Sequence, residues 1–199
     1  NLYMFRAFSQ LLCFGLLSLA INSETSEPSK NNHGISGLIN LPNAYFADEG
    51  NASMTIFRGE PDRKYSFTFS PTNWMEGGFY YSDITGKEYG YGYQQSYKDK
   101  GFNVKFKLKD QGKLPALAIG LNDFAGTGIY SSEYIVSSYK YNNFDFTLGL
   151  GWGNLAGSAT FSNPFTQISD KFLDRQTSFG EGGDFNFSSY FAGKDASLF

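Results

Sequence analysis

The chain alternates. Over 144–153, Phe144, Phe146, Leu148, Leu150 and Trp152 occupy one set of positions, while Asp145, Thr147, Gly149, Gly151 and Gly153 occupy the other. Successive side chains of an extended strand point to opposite faces, so this period of two predicts a β-strand with one apolar face. The same rule holds over 101–108, where Phe102, Val104, Phe106 and Leu108 oppose Asn103, Lys105 and Lys107. Tyr65, Phe67 and Phe69 alternate with Ser66, Thr68 and Ser70, and Leu117, Ile119 and Leu121 with Ala116, Ala118, Gly120 and Asn122. Weaker alternation predicts strands over 52–58, 74–82, 133–140 and 184–192. Turns rich in Gly, Pro, Asn and Asp separate these runs at 59–62, 70–73, 109–112 and 141–143. No window of about 12 residues after Ala20 keeps a helical period. The pattern predicts an all-β, antiparallel meander.

Alternation alone leaves open which face meets water. In a soluble sandwich or small barrel the apolar face points inward; in a transmembrane barrel it meets lipid and the polar face lines the lumen. Composition favours the second arrangement. Aromatic residues make up 19% of the 199 positions, with 23 Gly, and charged residues only 18%, below the roughly 25% of a soluble domain. The polar faces are small, mixing Gly, Ser, Thr and Ala with occasional Lys and Asp, as a crowded lumen requires. Several apolar faces end in aromatics, which suits girdles at the two membrane interfaces. Such a sheet spans a bilayer only by closing, because backbone groups in lipid must be paired. The net charge of -3 offers no basic footprint for nucleic acid. A single Cys (Cys13) and a single His (His33) exclude a disulfide framework, a zinc finger and most His-based catalysis.

The amino terminus reads as a targeting segment. Arg6 precedes an apolar run, Leu11-Leu12-Cys13-Phe14-Gly15-Leu16-Leu17, which ends in Ser18-Leu19-Ala20. These are the parts of a secretory signal peptide over 1–20, and the run falls short of the about 20 residues of a membrane-spanning helix. Cys13 follows Gln10, Leu11 and Leu12 rather than small residues, so lipidation there is not expected. The polar stretch 21–33 reads as a disordered linker, and 34–199 as the β-domain. The chain reads as an amino-terminal fragment, cut within a strand pattern at Phe199.

Five segments, taken in order, carry a resemblance: Gly34-Ile35-Ser36-Gly37-Leu38-Ile39-Asn40-Leu41-Pro42-Asn43-Ala44, then 98–108, 115–128, 132–136 and 146–153. Together they resemble the amino-terminal part of the YjbH family of exopolysaccharide-biosynthesis outer-membrane proteins. The resemblance implies a non-enzymatic, Gram-negative outer-membrane β-barrel acting in production or export of an exopolysaccharide or capsule. It implies family members much longer than this chain, and hence a barrel incomplete here. Implied partners are outer-membrane lipids, the exopolysaccharide chain and other proteins of a polysaccharide locus. Some members carry a lipoprotein signal, from which Cys13 departs.

Candidate chemistry is sparse. Lys105, Lys107 and Asp145 fall on polar faces by alternation, and Asp123 and Glu133 lie near or within strands. They form a candidate lumen network, either touching a hydrated sugar chain or pairing with one another, since charges away from water need partners. Asp123 and Glu133 would make a glycosidase pair only if held about 5 to 10 Å apart across a cleft. Gly126-Thr127-Gly128 lacks the Lys-Ser/Thr of a phosphate loop and reads as a turn. Tyr89, Tyr91 and Tyr93 are expected on one face of a strand running to Tyr97, where they, with Phe144 and Trp152, form an aromatic girdle or stack on sugar rings. No catalytic residue, metal site or cofactor is expected. A soluble periplasmic carbohydrate-binding domain and a general diffusion porin are the alternatives.

Overall fold

A computed structural model describes residues 27–90, 92, 94–157, 160–175, 185 and 187–199. The first described segment forms a strap containing a short hairpin, β1 (Gly37–Leu38) and β2 (Leu41–Pro42). Seven meandering strands follow: β3 (Ala52–Arg58), β4 (Asp62–Thr72), β5 (Met75–Glu88), β6 (Ser96–Lys109), β7 (Ala116–Asn122), β8 (Ser132–Tyr141) and β9 (Phe144–Gly151). β10 (Thr160–Ser162) and β11 (Asp195–Leu198) complete a nine-stranded antiparallel sheet in the order β10-β11-β9-β8-β7-β6-β5-β4-β3. The sheet is open, with β3 and β10 at its two ends. Among the described residues, helical structure is limited to single 3₁₀ turns.

The alternation located the meander well. The ranges predicted for 52–58 and 116–122 coincide with β3 and β7; those over 65–70, 101–108 and 133–140 are extended, 74–82 becomes 75–88, and 144–153 stops at Gly151. Pro71 does not end β4; it sits at a register shift between Phe69 and Thr72, a place where a strand tolerates a residue without an N–H. Two expectations fail. The strand expected to run to Tyr97 is interrupted: β5 ends at Glu88, β6 begins at Ser96, and between them Gly92 stands at φ +85. The predicted 184–192 strand gives way, in its described part, to a 3₁₀ turn at Phe187–Ser189, and the actual strand is β11. The predicted signal peptide, Cys13, Tyr91 and Tyr93 lie outside the described residues.

The sheet is inside out relative to a soluble domain. Met54, Phe67 and Phe102 are exposed on one face, as are Phe144, Phe146 and Leu148, the last at 62%. The other face carries Lys64, Ser66, Thr68, Ser70, Glu76, Tyr80, Ser82, Asp99, Asn103 and Lys105, all buried. Two segments cover them: the strap, residues 28–47, lies against Ser66, Thr68, Glu76, Asn103 and Lys105, and the 123–131 loop against Lys64, Tyr80, Ser82 and Asp99. Toward β7 and β8 that face turns apolar and small: Ala116, Ala118, Tyr134 and Val136 pack against Ile35 and Ala44, with Phe46 and Phe199 at the margin. Gly120 makes this layer possible, because the Tyr134 ring lies over it and a Cβ there would fall 2.3 Å from the ring. Gly101 does the same for Tyr80 in the β5–β6 hairpin.

The strap includes the end of the stretch expected to be a disordered linker. Lys30 bridges to Ser36, Asn31 is buried, and Ser29 Oγ donates to the Gly37 carbonyl at 2.7 Å. A stretch without apolar residues cannot build an apolar core, but here the surface opposite it is polar. Hydrogen bonds and ion pairs hold it instead.

Candidate functional site

The site built by the polar face is a clamp on the strap. β5 and β6 place Glu76 beside Lys105 by direct register. Glu76 accepts from the Ser36 backbone N–H at 2.6 Å, the Ser36 hydroxyl at 2.5 Å and Lys30 Nζ at 2.7 Å. Lys105, fully buried, donates to the Tyr45 carbonyl at 2.7 Å and lies 3.5 Å from Glu76 Oε1. Its ammonium also faces the Phe46 ring, 4.4 Å from the centroid, a favourable cation–π geometry. Thr68 donates to the Gly34 carbonyl, Asn103 to the His33 carbonyl, and the Ala44 N–H donates to Ser138 Oγ. Side chains from β4, β5, β6 and β8 thus grip one strap. A buried pair satisfied this completely positions rather than reacts.

A second cluster lies where β4, β5 and β6 meet the 123–131 loop. Asp99 accepts from Thr127 Oγ1 at 2.7 Å and Tyr80 Oη at 3.2 Å. Asp123 accepts from the Tyr130 N–H at 3.1 Å, and its own N–H donates to Asn103 Oδ1 at 3.0 Å. Burial, with the Asp99 charge nearby, raises the Asp123 carboxyl from 3.8 to about 6. Lys64 Nζ sits over the Tyr130 ring at 3.6 Å and 3.4 Å from His33 Nδ1. Burial and that ammonium lower His33 to about 3, so the imidazole is neutral and Nδ1 accepts from Lys64.

The five charges singled out by sequence separate into different roles. Lys105 joins Glu76. Lys107 pairs at 2.8 Å with Asp110, three residues on. Asp145 is exposed and accepts from Tyr45 Oη at 3.2 Å; burial and then Asp145 push the Tyr45 hydroxyl up to about 12. Asp123 belongs to the second cluster. Glu133 stands apart: register puts it on the Leu121 face, where Arg175 grips it through two nitrogens at 2.7 and 2.8 Å. Asp123 and Glu133 are therefore not a catalytic pair across a cleft. The aromatic candidates also divide. Phe144 is exposed, and Tyr89 stacks on Tyr97 with centroids 5.3 Å apart. Trp152 is fully buried, unlike a girdle residue: it stacks on Phe165 at 5.2 Å and donates from Nε1 to Asn163 at 2.8 Å. The cause is the chain after β9, which folds back over that end of the sheet.

Glu76, Lys30, Ser36, Lys64, Asp99 and Arg175 were missed by sequence. Glu76 had a signal, since alternation over 74–82 puts it on the face of Gly78, Tyr80 and Ser82. Arg175 had none, because its partner is fixed only by tertiary folding. Between the strap and β9 lies a cleft of about 920 Å³, lined by Leu38, Ile39, Leu41, Tyr45, Asp145 and Thr147 among others. Among the described residues no group of His, Cys, Asp and Glu is arranged to hold a metal ion.

The comparisons with known proteins agree in direction. No solved structure matches the chain. It is 36% identical over 203 residues to the "Uncharacterized lipoprotein YjbH" of Escherichia coli (strain K12), an alignment covering 98% of this chain and 29% of that relative. A family model described as "Exopolysaccharide biosynthesis protein YbjH" matches residues 29–199, which is the strap and the whole sheet. The chain belongs to the YjbH family of exopolysaccharide-biosynthesis proteins.

Proposed function

We propose that this chain forms part of the wall of an outer-membrane β-barrel, with its strap seated in the lumen, and that the full protein serves exopolysaccharide production or export without catalysing a reaction. One observation carries the reading: many large apolar side chains of the sheet are exposed on one face, while charged and hydroxylic ones on the other are buried beneath the chain's own amino-terminal strap and the 123–131 loop. In water that distribution would be costly, because burial of apolar surface drives folding. Against hydrocarbon it is the favourable one. Family membership supports the polysaccharide context, and the lipoprotein name of the relative supports a membrane-associated setting.

Loop lengths support an orientation. At one end the strands join through two-residue turns at Asn73–Trp74 and Asn142–Asn143 and a short loop over 110–115; at the other, apart from a three-residue turn over 59–61, the connections are longer, between Glu88 and Ser96, over 123–131, and between Gly151 and Thr160. Outer-membrane barrels keep short turns on the periplasmic side and longer loops outside, so the 123–131 loop faces the exterior. Fractionation of cells producing the full-length protein tests the proposal. Recovery with outer membranes, resistant to carbonate and salt washes, is the expected result; recovery in the soluble periplasm would overturn it.

A further inference from the structure

The lipid-facing surface is not uniformly apolar, and its exceptions are grouped. Along the outer face, Met54, Phe67, Phe79 and Phe102 form one row across β3 to β6 by register. The next row toward the long-loop end is Ile56, Tyr65, Tyr81 and Lys100, and the one beyond it is Arg58, Arg63, Asp83 and Lys98. Four cations thus stand in two adjacent rows directly above an aromatic band. Arg58, Arg63 and Lys100 are exposed, and Lys98 bonds to Asp83 at 2.6 Å. Asp83 is the single carboxylate in these rows, with Glu60 in the neighbouring turn. The patch is cationic in a chain whose net charge is -3.

Its height fits a membrane boundary. β5 and β6 are each 14 residues long, whereas a tilted spanning strand needs only about 9–11. The excess carries these rows past the hydrocarbon, and the Tyr65 and Tyr81 rings beneath them suit the headgroup level. The opposite end of the same face differs. It closes on Trp74, Leu108, Tyr141 and Phe144, all exposed, and its cations are Lys109, set by register beside Leu117, and Lys113 in the following loop, rather than rows shared by four strands.

We propose that Arg58, Arg63, Lys98 and Lys100 bind the phosphate groups of a phosphorylated glycolipid in the leaflet at the long-loop end, its acyl chains lying against the Phe67–Phe79–Phe102 row. Arginine forks match phosphate oxygens in pairs, and lysine adds point charge. The inference rests on the membrane reading above. The test uses full-length protein in nanodiscs containing bisphosphorylated lipid A or the same lipid dephosphorylated, with retained lipid counted by native mass spectrometry. The phosphorylated form should be retained preferentially, and the preference should shrink as salt is added. In Arg63→Gln/Lys100→Gln the preference should fall roughly fivefold for each cation removed, the equivalent of ~1 kcal/mol apiece. Arg63→Lys/Lys100→Arg should keep most of it. Equal retention of the two lipids by inserted wild-type protein overturns the glycolipid site while leaving the membrane reading intact. Failure of wild-type protein to enter nanodiscs, together with its recovery in the periplasm, overturns both.

Discussion

Lys105 and Glu76 show how a charged pair can be structural in the interior of this sheet. Each is fully buried, and the strap supplies most of the groups they bond. Removing one partner leaves the other uncompensated, at a cost of about 3–5 kcal/mol. Glu76→Ala should therefore lower stability by that order, read as a shift in the urea midpoint, and should expose 27–47 to protease before the sheet unfolds. Unchanged protease resistance would argue that the apolar contacts of Ile35 and Ala44 hold the strap alone. Asp123 gives a pH-dependent counterpart. Its folded-state value, about 6, lies above the ordinary 3.8, so the folded protein holds that proton more tightly. This contribution is fully present below about pH 4 and is lost as pH rises through about 6. The thermal midpoint of the wild type relative to Asp123→Asn should therefore rise on going from pH 7 to pH 5; a pH-independent difference would show the carboxyl is not responsible. At this scale sequence placed Lys105, Lys107 and Asp145 on the polar face, because alternation depends only on the backbone period. It could not pair Lys105 or Asp145, whose partners Glu76 and Tyr45 come from other parts of the fold, whereas Asp110 stands only three residues from Lys107.

At the scale of elements, β9 states the argument in eight residues. Leu148 and Thr147 are neighbours in sequence and point to opposite faces; both are exposed, one on the apolar surface and one in the cleft beside the strap. Arg at a lipid-facing position near the midplane costs roughly 2–4 kcal/mol, and much less where the side chain can stay wet. Leu148→Arg should therefore reduce folded protein in the outer membrane, scored by heat-modifiable gel mobility, while Thr147→Arg should assemble. Equal tolerance at the two positions would reverse the face assignment. The strands that sequence located are those long enough for alternation to repeat several times. β10 and β11 are three and four residues long and give no period to detect. The 89–97 run misled for a related reason: Tyr and Gly alternate there, but Gly92 adopts a positive φ and the hairpin turns.

At the scale of the molecule, the proposed orientation places Gln94 outside the cell and Gly112 in the periplasm, both exposed in loops at opposite strand ends. In a cysteine-free background, Gln94→Cys should react with a membrane-impermeant maleimide on intact cells, and Gly112→Cys only after the outer membrane is permeabilised. The reverse pattern would invert the topology. It would also move the cationic rows of β3 to β6 to the inner leaflet.

Sequence by itself determined the long strands of the meander, β3 to β9, and the division of each into two faces. Both follow from the two-residue period of extended backbone, which needs no knowledge of neighbours. Tertiary structure decided what each face meets. Much of the polar face is covered by a strap whose first residues, up to His33, composition marks as structureless, because its anchors, Glu76, Lys105, Thr68 and Asn103, sit on three different strands. The apolar face remains exposed along most of the meander and is closed over only near Trp152, where Arg175 and Phe165 return from beyond the last long strand. Those contacts depend on long-range closure of the chain, which local alternation does not encode.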